Sequence, residues 1–354
     1  MNRRTFLKRS AAAAFMAVVT AGGLWNYRLN APRDTEEDEA DAFGDLPHGI
    51  KGERAEIGNP NDGSGAALSF FVLSDLHVNS GVATPGDNLR RAFDDMLAFE
   101  SKIQAVLITG DVTESGTDKD YAQFRSIMKD YKLPPVYANM GNHDYYRIWI
   151  NKAGAWSKET APNGMTDASS REAFMKHFRL DKPYSEVLLN GCRVLLLSQE
   201  AYVQEKPEVI EGAWYSDEQL AWLKDRLAER QDRKPAFVMI HQPLPAIGQN
   251  GGTHSLIRAK EFRDILKPHP NVFVFSGHTH QDLQNGREHY IKETFHWFHN
   301  SSVGRVLDVQ YQPLREHVAQ GLYVQVFADK VVVRGREFIG RSWIKEASWT
   351  VKLV

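Results

Sequence analysis

Short apolar runs punctuate the chain at residues 69–74, 103–109 and 135–140, with amphipathic stretches around 89–99 and 121–131 between them. The runs have strand length and the stretches have helix length. The unit recurs about every thirty residues, the spacing of βαβ repeats.

The second half keeps this logic with different punctuation. Residues 186–198 read as a hairpin turning at Asn190-Gly191, a dipeptide that accepts the positive φ angles of a tight turn. Ser216-Asp217-Glu218-Gln219 predicts a capping box opening a helix whose apolar face carries Leu220, Trp222, Leu223 and Leu227. A strand at 236–240, a helix at 256–266 and a strand at 272–275 follow, and the aromatic residues here are most simply core. Residues 322–327, 331–333 and 343–354 read as β, and no internal sequence repeat is present.

The pattern changes before residue 67. Residues 34–41 are almost all acidic, with nothing to bury, and are expected to be a disordered tether. Ahead of them, Asn2-Arg3-Arg4-Thr5-Phe6-Leu7-Lys8 resembles a twin-arginine export signal and precedes a modest apolar stretch at 11–25. That stretch is too short and too rich in Ala and Gly for a transmembrane helix. The organisation expected is therefore a signal region at 1–31, an acidic linker at 32–66, and one domain at 67–354 with a C-terminal β extension. Such a signal implies the twin-arginine translocase as a partner and a periplasmic or extracellular destination. Cleavage near Ala21, Gly22 and Gly23 or near Ala31 both stay open, and membrane contact is expected only if the signal is uncleaved. No cysteine lies near its end to support lipid attachment.

Composition narrows the function classes. The chain has 354 residues, is 42% hydrophobic and carries a formal net charge of -2, which suits a soluble globular enzyme and offers no basic field for nucleic acid. A specific polynucleotide substrate is not expected. The single cysteine, Cys192, adjoins the strand-like run at 194–197 and reads as a small buried residue, not a nucleophile. Gly-rich phosphate cradles of the P-loop kind are absent.

The chemistry lies where the strands end. Asp75-Leu76-His77, Gly110-Asp111, Gly141-Asn142-His143-Asp144, His241-Gln242-Pro243 and Gly277-His278-Thr279-His280 each follow an apolar run. Carboxyl ends of strands in an open α/β sheet share one crevice, and these oxygen and imidazole ligands suit a site for two divalent metals. Their order resembles the calcineurin-like metallophosphoesterase family over roughly residues 69 to 281.

That resemblance implies the metallo-dependent phosphatase fold, two facing mixed β-sheets flanked by helices in an α/β/β/α sandwich. It assigns one metal to Asp75, His77, Asp111 and His280 and a second to Asp111, Asn142, His241 and His278, so that Asp111 bridges. His143, left without a metal, is the expected catalytic imidazole, with Asp144 the nearest carboxylate to orient it. A hydroxide held between the two ions would attack phosphorus in line, while protonated His143 stabilises charge or protonates the leaving alkoxide. Mn, Fe and Zn all remain open. Loading in the cytoplasm before export would let metal availability there decide among them.

Val112-Thr113-Glu114 after Asp111 lacks the tyrosine with which the purple acid phosphatase branch holds ferric iron. Ser74-Asp75-Leu76-His77 looks more like the branch of cyclic-nucleotide and related phosphodiesterases. The expected substrate is thus a small phosphate ester, with phosphodiesters ahead of monoesters. A phosphomonoesterase of nucleotidase or acid-phosphatase type is the alternative, and a noncatalytic binding module stands third because every ligand is present.

Three loop features bear on substrate choice. Residues 145–169 carry Tyr145, Tyr146, Arg147, Trp149 and Trp156 and read either as a hydrophobic cover over the sheet edge or as a wall beside the substrate. The Gly-rich loop 246–253, ending at His254, is a candidate lid. His289, His296 and His299 flank Trp297, and an extra metal site there is the minor reading.

Overall fold

A computed structural model describes residues 65–99, 102–229, 234–314 and 317–354. The signal region and most of the acidic linker lie outside these residues.

The strand-like runs become two six-stranded sheets. The first begins with β1 (Leu68–Leu73), α1 (Ala83–Leu97), β2 (Ala105–Thr109), α2 (Asp118–Lys129) and β3 (Val136–Asn139). A 3-10 helix (His143–Trp149) and α3 (Asp167–Phe178) lead to the second, built from β4 (Ser185–Leu189), β5 (Cys192–Leu196), α4 (Asp217–Ala228), β6 (Ala236–Met239), α5 (Ala259–Leu266), β7 (Val272–Ser276), β8 (Tyr290–Lys292) and β9 (His296–His299). The chain then returns to the first sheet with β10 (Gln320–Val326), β11 (Lys330–Glu337) and β12 (Ser342–Lys352).

Strand order is β12-β11-β10-β1-β2-β3 in one sheet and β4-β5-β6-β7-β9-β8 in the other. β1, β2 and β3 run parallel, as do β5, β6, β7 and β9. Alternate side chains of the two sheets meet between them: Phe70, Val72 and Leu107 pack with Phe237, Met239 and Phe275, and the rings of Phe70 and Phe237 contact edge to face at 4.9 Å. The opposite face of the first sheet is covered by α1, α2 and the 3-10 helix, and that of the second by α4 and α5. This is the four-layer sandwich that the resemblance implied.

Four expectations are revised. β10 to β12 form half of the first sheet, so the tail is integral to the fold and not an extension. Residues 145–169 are no simple loop, because Tyr145, Tyr146 and Trp149 wind into the 3-10 helix and bury against the first sheet. The cover reading therefore describes them better than a substrate wall does. Ser216 caps α4 by accepting from the Gln219 N–H, yet the Gln219 amide turns inward to Ser198 and Glu200, and the reciprocal bond of a capping box is not made. Finally, α5 starts at Ala259, since Leu256 is drawn into a bridge with Ala213.

Cys192 is buried at the start of β5, as expected. No helix among the described residues is long and apolar enough to cross a membrane.

Candidate metal centre

Every motif singled out above lies just past a strand terminus, and all nine residues converge between the carboxyl ends of β1, β2, β3, β6 and β7. Sharp turns make this convergence sterically possible. Asp75, His77, Asp111, His278 and His280 all adopt left-handed backbone, with φ of 52°, 48°, 49°, 77° and 55°. Asp and His tolerate that region better than most residues, but each such turn still costs roughly 1 kcal/mol or more and persists where surrounding structure over-determines it.

That surrounding structure is visible. The Asp75 turn is clamped by Val303 N–H donating to Ser74 O and Gly304 N–H donating to Asp75 O, while Ser302 Oγ also donates to Asp75 O. Glycine is required at two close approaches: a Cβ on Gly277 would collide with Ser74 and Asp75, and one on Gly110 would collide with the His241 ring.

Two donor sets result. Asp75, His77, Asp111 and His280 form one buried group, and Asp111, His241 and His278 form another, each with its ligand atoms within 4.8 Å of one another. In the first, His77 Nε2 lies 2.9 Å from His280 Nε2, and His280 Nε2 lies 3.1 Å from Asp75 Oδ1. In the second, Asn142 Oδ1 faces His241 Nε2 at 3.1 Å and His278 Nδ1 at 3.0 Å. Asp111 belongs to both: its Oδ2 is 3.1 Å from His241 Nε2 and 3.9 Å from His77 Nε2.

These donor sets fit divalent cations. Asp111 Oδ2 is buried without a hydrogen-bond partner, a costly state for a carboxylate oxygen unless a cation meets it. The Nδ1 of His241 sits 2.7 Å from the carbonyl of Thr109, which can only accept. Nδ1 therefore carries the proton, and the Nε2 lone pair is aimed at Asp111 and Asn142. Burial opposes charge on His77 and His241, yet the carboxylates of Asp75 and Glu114 around the first, and of Asp111 and Asp75 around the second, push both up to about 9. Conversely, burial favours the neutral acid at Asp75, but His280 and His241 hold it well below the usual carboxylate range. Such a field favours positive charge at the centre, whether proton or metal.

His143 stands at the edge of the first set, its ring edge-on to His77 at 4.5 Å and leaning on Tyr146 at 4.1 Å. Its Nδ1 donates to the carbonyl of Glu114 at 3.0 Å, leaving Nε2 for other chemistry. Asp144 does not orient it. That carboxylate accepts from Thr113 N–H and Oγ1, from Tyr121 OH and from Gly141 N–H, so its role is to fix the Gly141-Asn142 turn against the β2 loop. The residue that serves His143 is Glu114, which sequence reasoning used only to note a missing tyrosine. Its carboxylate also lies 2.9 Å from His77 Nδ1. One residue thus touches a candidate ligand with its carboxylate and orients the candidate catalytic imidazole with its carbonyl.

His289, His296 and His299 are accounted for without a metal. Both ring nitrogens of His289 face backbone carbonyls, of His299 and Asp282. His299 bonds Ser276 and Thr279, and His296 accepts from Tyr290 OH. Thr279 lies between His278 and His280, so His299 braces the last motif from behind. The Gly-rich loop brings His254 to the site, with its ring stacked 6.1 Å from His278.

A carboxylate common to both donor sets, flanking imidazoles and a strand-end crevice are the equipment of a dinuclear metallohydrolase. The comparisons agree. Residues 68–282 match the model of the calcineurin-like phosphoesterase family, and the chain belongs to that family. It is 28% identical over 240 residues to a probable cyclic nucleotide phosphodiesterase of Synechococcus, covering 64% of this chain and 78% of the relative. To the 3',5'-cyclic adenosine monophosphate phosphodiesterase of Escherichia coli it is 25% identical over 233 residues, 63% and 74% of the two chains. The solved dimetal phosphatase of Danio rerio superposes with a TM-score of 0.56 at 13% identity, spanning 82% of this chain and 100% of that one. This protein is accordingly a metal-dependent hydrolase of phosphate esters that uses two divalent ions.

Proposed function

We propose that the protein is an exported phosphodiesterase acting on small phosphodiesters of the cyclic-nucleotide kind. The observation that carries the reading is the convergence of both donor sets on Asp111 with His143 alongside. When bound, two divalent ions supply Lewis-acid stabilisation of the phosphate and lower the pKa of water beside it.

The chain's own residues do the rest. Asp75, His77, Asp111 and His280 would hold one ion, and Asp111, Asn142, His241 and His278 the other. Glu114 fixes the tautomer of His143, so Nε2 is the atom that exchanges a proton with the leaving oxygen. Burial pushes the His143 ring down to about 4, and an anionic ester beside Nε2 would draw it upward. The relatives named as cyclic nucleotide phosphodiesterases support the diester class. Export rests on the Arg3-Arg4 motif and its apolar stretch.

The test is kcat/KM of metal-replete protein on 3',5'-cyclic nucleotides and bis(p-nitrophenyl) phosphate against nucleoside monophosphates and p-nitrophenyl phosphate. Preference for the diesters supports the assignment. Faster monoester turnover would replace it with the monoesterase alternative.

A further inference from the structure

Besides Glu114 and Asp144, a further buried carboxylate near the centre belongs to neither donor set. Glu211 lies in the connection between β5 and α4, is 4% exposed, and follows Ile210 at a φ of 49°. Its Oε2 accepts from Asn142 Nδ2 at 2.7 Å and from Tyr146 OH at 2.8 Å, and its Oε1 accepts from Tyr202 OH at 3.1 Å. Trp149 Nε1 in turn donates to Tyr202 OH at 3.3 Å. The Glu211 backbone is pinned too: its N–H donates to Thr253 O, and its carbonyl accepts from Gln242 Nε2 at 2.9 Å, one residue past His241.

From this geometry we infer that Glu211 is a positioning residue for the second metal ion, acting by fixing which end of the Asn142 amide faces the centre. The inference rests on Asn142 being a ligand of that ion. A primary amide presents either an oxygen or an NH2 group, and only the oxygen can bind a cation. The Glu211 carboxylate accepts from Asn142 Nδ2 and from the hydroxyls of Tyr146 and Tyr202, so it meets the Asn142 NH2 and turns Oδ1 toward His241 and His278. Flipping the amide would oppose two oxygens on one side and set NH2 against the ion on the other. The anchored tyrosines keep the carboxylate from following such a flip. Without Glu211, Asn142 Nδ2 keeps only the 3.2 Å contact to Tyr146 OH, a hydroxyl that accepts or donates, and the amide end rests on the long 3.5 Å contact of Oδ1 with Gln242 Nε2.

The test is a Mn2+ binding isotherm on stripped and reloaded full-length protein, by calorimetry and elemental analysis, for wild type, Glu211→Gln, Glu211→Leu and Asn142→Ala. Outer partners of metal ligands typically govern about 10–100-fold of affinity. Gln keeps the volume but must turn an NH2 toward Asn142 or Tyr202, so a loss of about tenfold is expected at the second ion only. Leu removes the acceptor, and the expected loss is about a hundredfold, again with the first ion unchanged. Should Leu prevent folding, the volume-conserving Gln variant decides. If Asn142→Ala weakens the second ion but neither Glu211 variant does, the positioning role is wrong while the ligand reading survives. An unchanged second ion in Asn142→Ala sinks the ligand reading and this inference with it. Equal weakening of both ions in the Glu211 variants would mean a general structural role and would also overturn it.

Discussion

Replacing Asp111 by Asn isolates the feature on which a two-metal centre depends. Burial favours the neutral acid, but His241 and His143 hold Asp111 well below the usual carboxylate range, so the group is an anion at neutral pH. Its Oδ1 accepts from His143 N–H at 2.9 Å, a bond that an amide oxygen can still make, while Oδ2 faces both donor sets. The substitution therefore preserves shape and removes charge. A unit charge pair about 4 Å apart is worth about 4 kcal/mol at an effective dielectric of 20, which corresponds to about a thousandfold in a binding constant. Loss of that order is expected for at least one ion, with weakening of both and turnover reduced to near background. Metal content after equilibrium dialysis, read alongside steady-state kinetics on bis(p-nitrophenyl) phosphate, measures each part. A variant that keeps two ions at wild-type affinity and near-normal turnover would refute the bridging assignment.

Other perturbations have equally defined outcomes. His143→Ala should retain both ions and lose about 10²–10⁴ in rate on esters with high-pKa leaving groups, with smaller losses on nitrophenyl esters; a flat leaving-group series would remove proton donation from the account. Burial pushes His296 down to about 4 in the folded state, against about 6.5 unfolded. Its contribution is thus complete above about pH 6.5 and is lost as pH falls toward 4, at roughly 1.4 kcal/mol per unit. His296→Phe, which keeps the stack on Phe273, should flatten the decline of Tm between pH 7 and 4, and an unchanged slope would contradict this. Arg3→Lys combined with Arg4→Lys should retain active enzyme in the cytoplasm, as fractionation with an activity assay would show; normal export of that variant would point to another route.

Much of the centre was legible because its residues are punctuation. Asp75, Asp111, His241 and His278 each stand within three residues of the end of an apolar run, so pattern alone places them at strand ends, and strand ends in such sheets share an edge. What failed to appear in the sequence depends on contacts across it. Asp144 adjoins His143 in the chain but turns to Thr113 and Tyr121, while Glu114, twenty-nine residues away from His143, takes the orienting role through its carbonyl. Glu211 sits in no motif and gains meaning only where β3 and the β5–α4 connection meet. β9 was hidden because two of its four residues are histidines, which read as candidate ligands rather than as strand. The tail's strands were visible, but nothing in their own pattern says that β10 pairs with β1, more than two hundred residues earlier.

The central claim is that two divalent ions share Asp111 within this sandwich. Anomalous diffraction from a metal-loaded crystal, collected at the absorption edge of the bound element, tests it most directly. Two peaks about 3.5–4 Å apart are expected, one among Asp75, His77 and His280, the other among Asn142, His241 and His278, with Asp111 between them. A single peak, or a second one held by residues outside this set, would contradict the account.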